Sequence, residues 1–218
     1  MASKPGERKL QILQTVAHML EQPKGEKITT AALAARLELS EAALYRHFAS
    51  KAQMFEGLIE FIEQTVFGLV NKITQEEKSG LKQAEAIVSM LLGFAQKNRG
   101  MTRVLIGDAL VNEDERLQLR INQLLDRIEA TLKQSLRMAA TQGEMGEAVG
   151  GQTQDVSVSG TGMPPVSPPR TVSGEDISAH ANVLLCFVIG RWLQFGKSGF
   201  TREPLAQWPA QSAVLLDK

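Results

Sequence analysis

The sequence predicts an all-α protein: an N-terminal three-helix helix-turn-helix unit followed by a larger C-terminal helical domain that dimerises. Three observations carry that expectation. Apolar residues recur at steps of three and four almost throughout. No stretch alternates with the period of two that a half-buried strand requires. Two early helix starts carry hydroxyl residues suited to capping, Thr29 and Ser40.

The elements follow in order. A first helix is expected from about Pro5 to Gln22, with Leu10, Ile12, Leu13, Val16, Ala17 and Leu20 on one face, and Pro23 to Lys27 break it. Thr29 caps the next start, with Ile28 and Leu33 at the positions of a hydrophobic staple, and a short helix runs from Thr30 to Leu37. A tight turn over Leu37 to Leu39 leads to Ser40, which caps a second short helix from Glu41 to Phe48.

A long helix from Ser50 to about Ile73 carries the stripe Phe55, Ile59, Ile62, Val66, Leu69 or Val70, and Ile73. Phe61 lies roughly 120° from the centre of that stripe and points to a second surface. The helix from about Leu81 to Lys97 is apolar around most of its circumference, which predicts a central, buried position. A short helix from Met101 to Gly107 and a long amphipathic one from about Asn112 to Ala140 come next. The last two are expected over Glu175 to Gly196 and Trp208 to Leu216.

Between them, Thr141 to Gly174 is rich in Gly, Pro, Ser and Thr and holds no aromatic residue, so it is read as a disordered surface loop, most simply a neutral insertion. The expected division is therefore residues 1–52 for the helix-turn-helix unit and 53–218 for the helical domain, interrupted by a loop at about 141–174.

Composition narrows the function classes. The 218 residues suffice for one or two domains, and 43% hydrophobic with 22% charged residues is ordinary globular composition. Basic and acidic side chains number 24 each, so attraction to nucleic acid must come from a local patch, or from two patches summed in a dimer. The single cysteine, Cys186, excludes an intrachain disulfide, fits a reducing compartment and reads as a small buried hydrophobe. Met1 to Lys9 lacks the apolar core of a secretory signal, and the longest apolar run, Val183 to Ile189, is far short of the roughly 20 residues a membrane span needs. No membrane segment and a cytoplasmic location are expected.

The segment from Ile28 to Lys51 holds the most information. Its spacing is that of a helix-turn-helix whose second helix enters the major groove of double-stranded DNA while the first crosses the backbone. Leu33, Leu37, Leu39, Leu44 and Phe48 knit the motif together. Ala42 and Ala43 allow close approach and offer methyls to thymine. Tyr45, His47, Lys51 and the hydroxyl of Thr29 or Thr30 reach phosphates and set register, with Arg46 adding charge nearby.

The words at these positions sharpen the assignment. Thr29, Thr30, Leu44, Tyr45, His47, Phe48 and Lys51 match a pattern of Thr-Thr followed by Leu-Tyr-x-His-Phe-x-x-Lys, and the segment resembles the TetR family of bacterial regulators. That family usually has Gly-Val-Ser in the turn; here Glu38-Leu39-Ser40 stands there, so Glu38 occupies a place that often needs a left-handed backbone, at roughly 1 kcal/mol.

Further words, among them Leu58-Ile59-Glu60-Phe61-Ile62-Glu63, Leu91-Leu92-Gly93-Phe94, Arg120-Ile121-Asn122-Gln123-Leu124 and Trp208-Pro209, resemble the nucleoid occlusion branch of that family. The resemblance implies a nucleoid-associated homodimer on palindromic chromosomal sites that engages the tubulin-like GTPase FtsZ and antagonises ring assembly over DNA. It also implies a partner groove including Met90, Gly93, Lys97 and Asn98. Off-stripe Phe61 is then either one wall of that groove or an aromatic buried in its own domain. Gly93, in mid-helix, marks close approach of another backbone or simple helix packing. On the Glu175 to Gly196 helix, Val183, Phe187 and Gly190 lie outside the core stripe and form the expected dimer interface.

Other classes find less support. A ligand-responsive repressor would need an apolar pocket with convergent polar groups in the C-terminal domain, and buried polar candidates are scarce on the central helix. His18, His47, His180 and Cys186 have no metal-ligand spacing, so neither metal nor cofactor nor enzymatic activity is expected. Glu113 to Arg116 reads as a charged helix start.

Overall fold

The computed structural model describes residues 5–22, 28–145 and 172–216. The breaker expected at Pro23 to Lys27 and most of the expected loop lie outside the described residues, which contain helices and no strand. In chain order the helices are α1 (Pro5–Leu20), α2 (Thr30–Arg36), α3 (Glu41–Tyr45), α4 (Lys51–Glu76), α5 (Gly80–Lys97), α6 (Arg99–Leu105), α7 (Glu115–Thr141), α8 (Gly174–Lys197) and α9 (Trp208–Leu215). Among the described residues a single 3-10 turn, Asp108–Leu110, precedes α7 and had no signal in the periodicity.

Capping sets most of these starts. Thr29, Ser40 and Ser50 accept hydrogen bonds from Ala32, Ala43 and Gln53 at the beginnings of α2, α3 and α4. The third helix is shorter than its periodicity suggests. His47 N–H bonds Leu44 C=O at 3.0 Å, tightening the end of α3, and Gln53 Oε1 takes the Ala49 N–H at 2.9 Å, so the chain turns sharply into α4. In the turn between α2 and α3, Glu38 adopts φ 54°, the left-handed conformation its position demands.

Helix α5 is the central element, packed on α4, α7 and α8. Ala84, Ile87, Val88, Leu91, Leu92, Phe94 and Ala95 are all buried on it. The stripes expected on its neighbours are the faces they bury: Phe55, Ile59, Ile62, Val66 and Val70 on α4, and Ile177, Ala181, Leu184, Leu185, Val188, Trp192 and Phe195 on α8. Val70, not the exposed Leu69, continues the α4 stripe. Trp192 Nε1 donates to Leu91 C=O at 3.1 Å, so the largest side chain in the core is also polar-satisfied.

The described ends of the glycine- and proline-rich stretch are built into the fold, a correction to a loop beginning at Thr141. Thr141 completes α7. Gln142 Oε1 and Glu144 Oε2 accept the Gly80 and Leu81 N–H groups at 2.8 and 2.9 Å, satisfying amides that α5 leaves unpaired. At the other end Ser173 and Asp176 form a reciprocal capping box for α8.

The glycines that another helix backbone approaches closely are Gly80 and Gly100. A Cβ on Gly80 would stand 2.2 Å from Ala139 N on α7, and one on Gly100 would stand 1.8 Å from Ala17 C=O on α1. Gly93 is different: its Cβ would meet only the Leu205 Cδ1 methyl at 3.4 Å, ordinary contact, so the expected backbone approach there is not found.

Candidate nucleic-acid interface

Helices α2 and α3 present one outward surface. Buried Leu33, Leu37, Leu44 and Phe48 hold them against α1 and α4, while Ala42, Tyr45 and Arg46 stay exposed and Ala43 and His47 are half-buried. With Leu44 fixed inward, about 100° per residue puts Ala42 and Arg46 at the centre of the outward face, with Tyr45 about 80° and Glu41 about 120° from that centre on one side.

The two threonines do different work. Thr29 is exposed and accepts the Ala32 N–H at 3.1 Å, which leaves its hydroxyl proton free to donate. Thr30 donates its own proton to Glu41 Oε2 at 2.7 Å, binding the start of α2 to the start of α3. The sequence pattern did not reveal this bond, because it joins residues far apart in the chain's local period. Thr29, Thr30, Tyr45 and Lys51 border a hollow of about 590 Å³ between the two-helix unit and the body, closed on its other side by Asp108, Val111, Asn112 and Glu113.

Lys51 is held more tightly than a phosphate-reaching side chain is expected to be. Its Nζ is bonded to the Glu113 carboxylate, and both side chains are largely covered. This is the first rung of a ladder joining α4 to the start of α7. Arg116 pairs with Glu56 at 3.3 Å, and Arg120 takes both Glu63 oxygens at 3.2 and 2.7 Å and donates to Glu56 C=O at 3.3 Å. The hydrogen bond to Glu63 raises the Arg120 pKa above its ordinary value. The charged run Glu113 to Arg116 thus does more than start a helix: Asp114 caps α7, while Glu113 and Arg116 reach across to α4.

The residues expected to form a partner groove divide between two surfaces. Phe61 and Asn98 line a shallow hollow of about 270 Å³ with Gln14, Ala17 and His18 of α1 and Glu21 just after it. Asn98 also donates to Phe94 C=O at 2.8 Å at the α5–α6 junction, a structural task the sequence did not signal. Met90, Gly93 and Lys97 fall within about 60° of one another on α5. Gly93 faces Leu205 in the segment before α9, and Lys97 is exposed.

On α8, Val183 is 50% and Leu193 44% exposed, on one face with Cys186 and the half-buried Gly190. Phe187 is partly covered by its own chain, its ring 5.7 Å from that of Trp208. Cys186 is exposed rather than buried, because Leu184, Leu185 and Val188 take the inward positions around it; its Sγ donates to Asn182 Oδ1 at 3.6 Å. Among the described residues no His, Cys, Asp and Glu cluster could hold a metal ion, and no helix is long and apolar enough to cross a membrane.

A short capped helix displayed on a two-helix support, joined by a long helix to an all-helical body, defines a DNA-binding regulator of the TetR type. Residues 17–58 match the model for bacterial regulatory proteins of the tetR family, and residues 78–153 match a tetracyclin repressor-like C-terminal domain of the SlmA-like kind. A solved TetR transcription regulator from Haloarcula marismortui superposes with a TM-score of 0.72 at 14% identity, covering 97% of each chain. The regulator FadR from Bacillus subtilis, solved with stearoyl-CoA, gives 0.67 at 11% identity, covering 95% of this chain and 97% of that one. At such identities the likeness is one of fold.

Sequence relatives are more specific. Nucleoid occlusion factor SlmA from Alteromonas mediterranea is 45% identical over 213 residues, covering 98% of this chain and 96% of the relative. SlmA from Marinomonas sp. is 43% identical over 215 residues, covering 99% and 96%. The chain belongs to the SlmA family of nucleoid occlusion factors within the TetR regulators.

Proposed function

We propose that this chain acts as a homodimeric nucleoid occlusion factor: bound to palindromic chromosomal DNA in the cytoplasm, it engages FtsZ and antagonises ring assembly over the nucleoid. The observation that carries this reading is that the family match runs through the body as well as the reading head. The head is common to many regulators, whereas the body is where a regulator meets a small ligand or a protein.

The roles follow from the surfaces described. Ala42 and Ala43 approach base edges, and Thr29, Tyr45 and His47 hold phosphates. Lys51 joins them once it leaves Glu113, and Thr30 orders the start of α3. FtsZ docks across the Phe61 and Asn98 hollow and the Met90, Gly93 and Lys97 face of α5. Val183 and Gly190, with the exposed edge of Phe187, pack against the same helix of a second copy, so that two heads read two half-sites.

The competing reading, a ligand-responsive repressor, requires an apolar hollow inside the body. Ile59, Ile62, Ile87, Leu91, Leu124, Ile128, Val188 and Trp192 occupy that interior with almost no exposure, which favours a filled core.

The test is a sedimentation assay of FtsZ polymers with and without palindromic DNA, run beside a DNA titration. Wild-type protein with DNA is expected to lower the pelleted FtsZ, and Ala43→Glu, which puts a carboxylate against base edges, to lose both DNA binding and the DNA-dependent part of that effect. His47→Ala is expected to weaken all DNA sequences alike and flatten the salt dependence. DNA binding that leaves FtsZ polymers untouched, with no affinity for the FtsZ C-terminal tail, overturns the proposal.

A further inference from the structure

Apart from Arg46, which stands just past its C-terminal end, the outward face of α3 is poor in groups that distinguish bases. Ala42 and Ala43 offer methyls, which meet the thymine methyl and little else. Tyr45, the last residue of α3, and His47, two residues beyond it, sit where phosphates set register. Glu41 is the first residue of α3 and its only acid, exposed, on the same side as Tyr45. In a helix-turn-helix the N-terminal residues of the second helix are those that touch base edges.

An acid there is costly beside phosphates, and its benefit to the helix start is only about 0.3–1 kcal/mol. Ser40 already supplies the cap. What distinguishes Glu41 is that its carboxylate is aimed: Thr30, anchored in α2, donates to Oε2 at 2.7 Å. That bond uses one of about four acceptor positions of a carboxylate. In the major groove the cytosine N4 amine is a donor with an acceptor on one side only, the O6 of its paired guanine, whereas the adenine N6 amine stands between its own N7 and the O4 of its paired thymine, both of which repel a carboxylate.

We propose that Glu41 reads a cytosine in each half-site of the bound DNA, and that Thr30 is a positioning residue that holds its carboxylate toward that base. The inference rests on α3 being the helix that enters the groove.

The experiment is selection of binding sites from random duplexes, followed by titration of the selected duplex with that cytosine replaced. Wild-type protein is expected to select a palindrome with cytosine at one symmetric pair of positions, disfavouring the other bases by about 5- to 100-fold. Glu41→Ala is expected to lose the preference at that pair alone. Glu41→Gln, isosteric and neutral, is expected to move it toward adenine, which a side-chain amide meets with both a donor and an acceptor. Thr30→Val is expected to weaken the cytosine preference while leaving the remainder of the selected motif intact, a change that a merely structural hydroxyl would not produce. If all three variants select the wild-type motif, or lose every sequence equally while remaining folded, Glu41 only starts a helix and the inference falls. If wild-type protein selects no palindrome, the reading of α3 itself falls with it.

Discussion

The reading head and the body use their polar groups differently. In α2 and α3 the hydrogen bonds that position the site stay within the two-helix unit: Thr29 to Ala32 and Ser40 to Ala43 within one turn, and Thr30 to Glu41 from one helix start to the next. In the body, and where the head meets it, they cross long stretches of chain: Lys51 to Glu113 at the seam, and Arg120 to Glu63, Gln142 to Gly80, and Trp192 to Leu91 within the body. The head is therefore arranged by local caps and one turn. The body is arranged by packing that brings distant segments together, and the seam between the two relies on close backbone contact and one ladder of charges.

The largest expected effect is at that seam. Gly100→Ala would place a methyl carbon 1.8 Å from Ala17 C=O, and neither partner is a flexible side chain, so α1 and α6 must separate. A loss of about 3 kcal/mol is expected. That corresponds to a melting temperature lower by roughly 10 °C for a chain of this size. Thermal denaturation measures it. A loss confined to a few tenths of a kcal/mol would mean that the head is only loosely seated on the body.

The same contrast explains what could be read from the sequence. The helices, their stripes and the exposure of Glu41, Ala42 and Tyr45 were legible because each depends on neighbours within a turn or two, whereas Ala43 and His47 are half-buried. Glu38 in the left-handed region followed from its standing where the resembled family usually has glycine. The Phe61 and Asn98 hollow was not legible as built. Periodicity placed Phe61 off the core stripe, but could not say that α1 would stand opposite it. Nor could it say that Gly93 would face Leu205 while Gly80 and Gly100 carried the tight crossings. Cys186 is exposed although the apolar run around it suggests burial, because at about 100° per residue a run of seven must put some members outside. The Lys51 to Glu113 pair spans 62 positions, beyond any local pattern.

That pair supplies a second, smaller prediction. Glu113→Gln removes the charge holding Lys51 against the body. Stability is expected to fall by about 1 kcal/mol, since the pair is partly covered and charge-assisted. DNA affinity is expected to rise a few-fold as Lys51 becomes free to meet a phosphate, with a salt dependence steeper by up to about one ion. Chemical denaturation and titrations at two salt concentrations check both halves. A fall in stability without any gain in affinity would assign Lys51 to the seam alone and remove it from the DNA surface.

The smallest expected effect has the opposite sign and lies wholly within the head. Glu38 holds φ 54° with its side chain in solvent, at a turn where the backbone rather than the side chain is what the fold requires. A residue with a Cβ pays roughly 1 kcal/mol or more for that conformation, and glycine does not, although glycine gains more freedom when unfolded. Glu38→Gly is therefore expected to stabilise the protein by about 0.5 kcal/mol, visible as a shift of the denaturant midpoint at unchanged slope. If the midpoint falls instead, the Glu38 side chain contributes something the geometry of the turn does not show. If it rises as expected, the angle between α2 and α3 is set by local backbone preference, and the head can be tuned without touching the body.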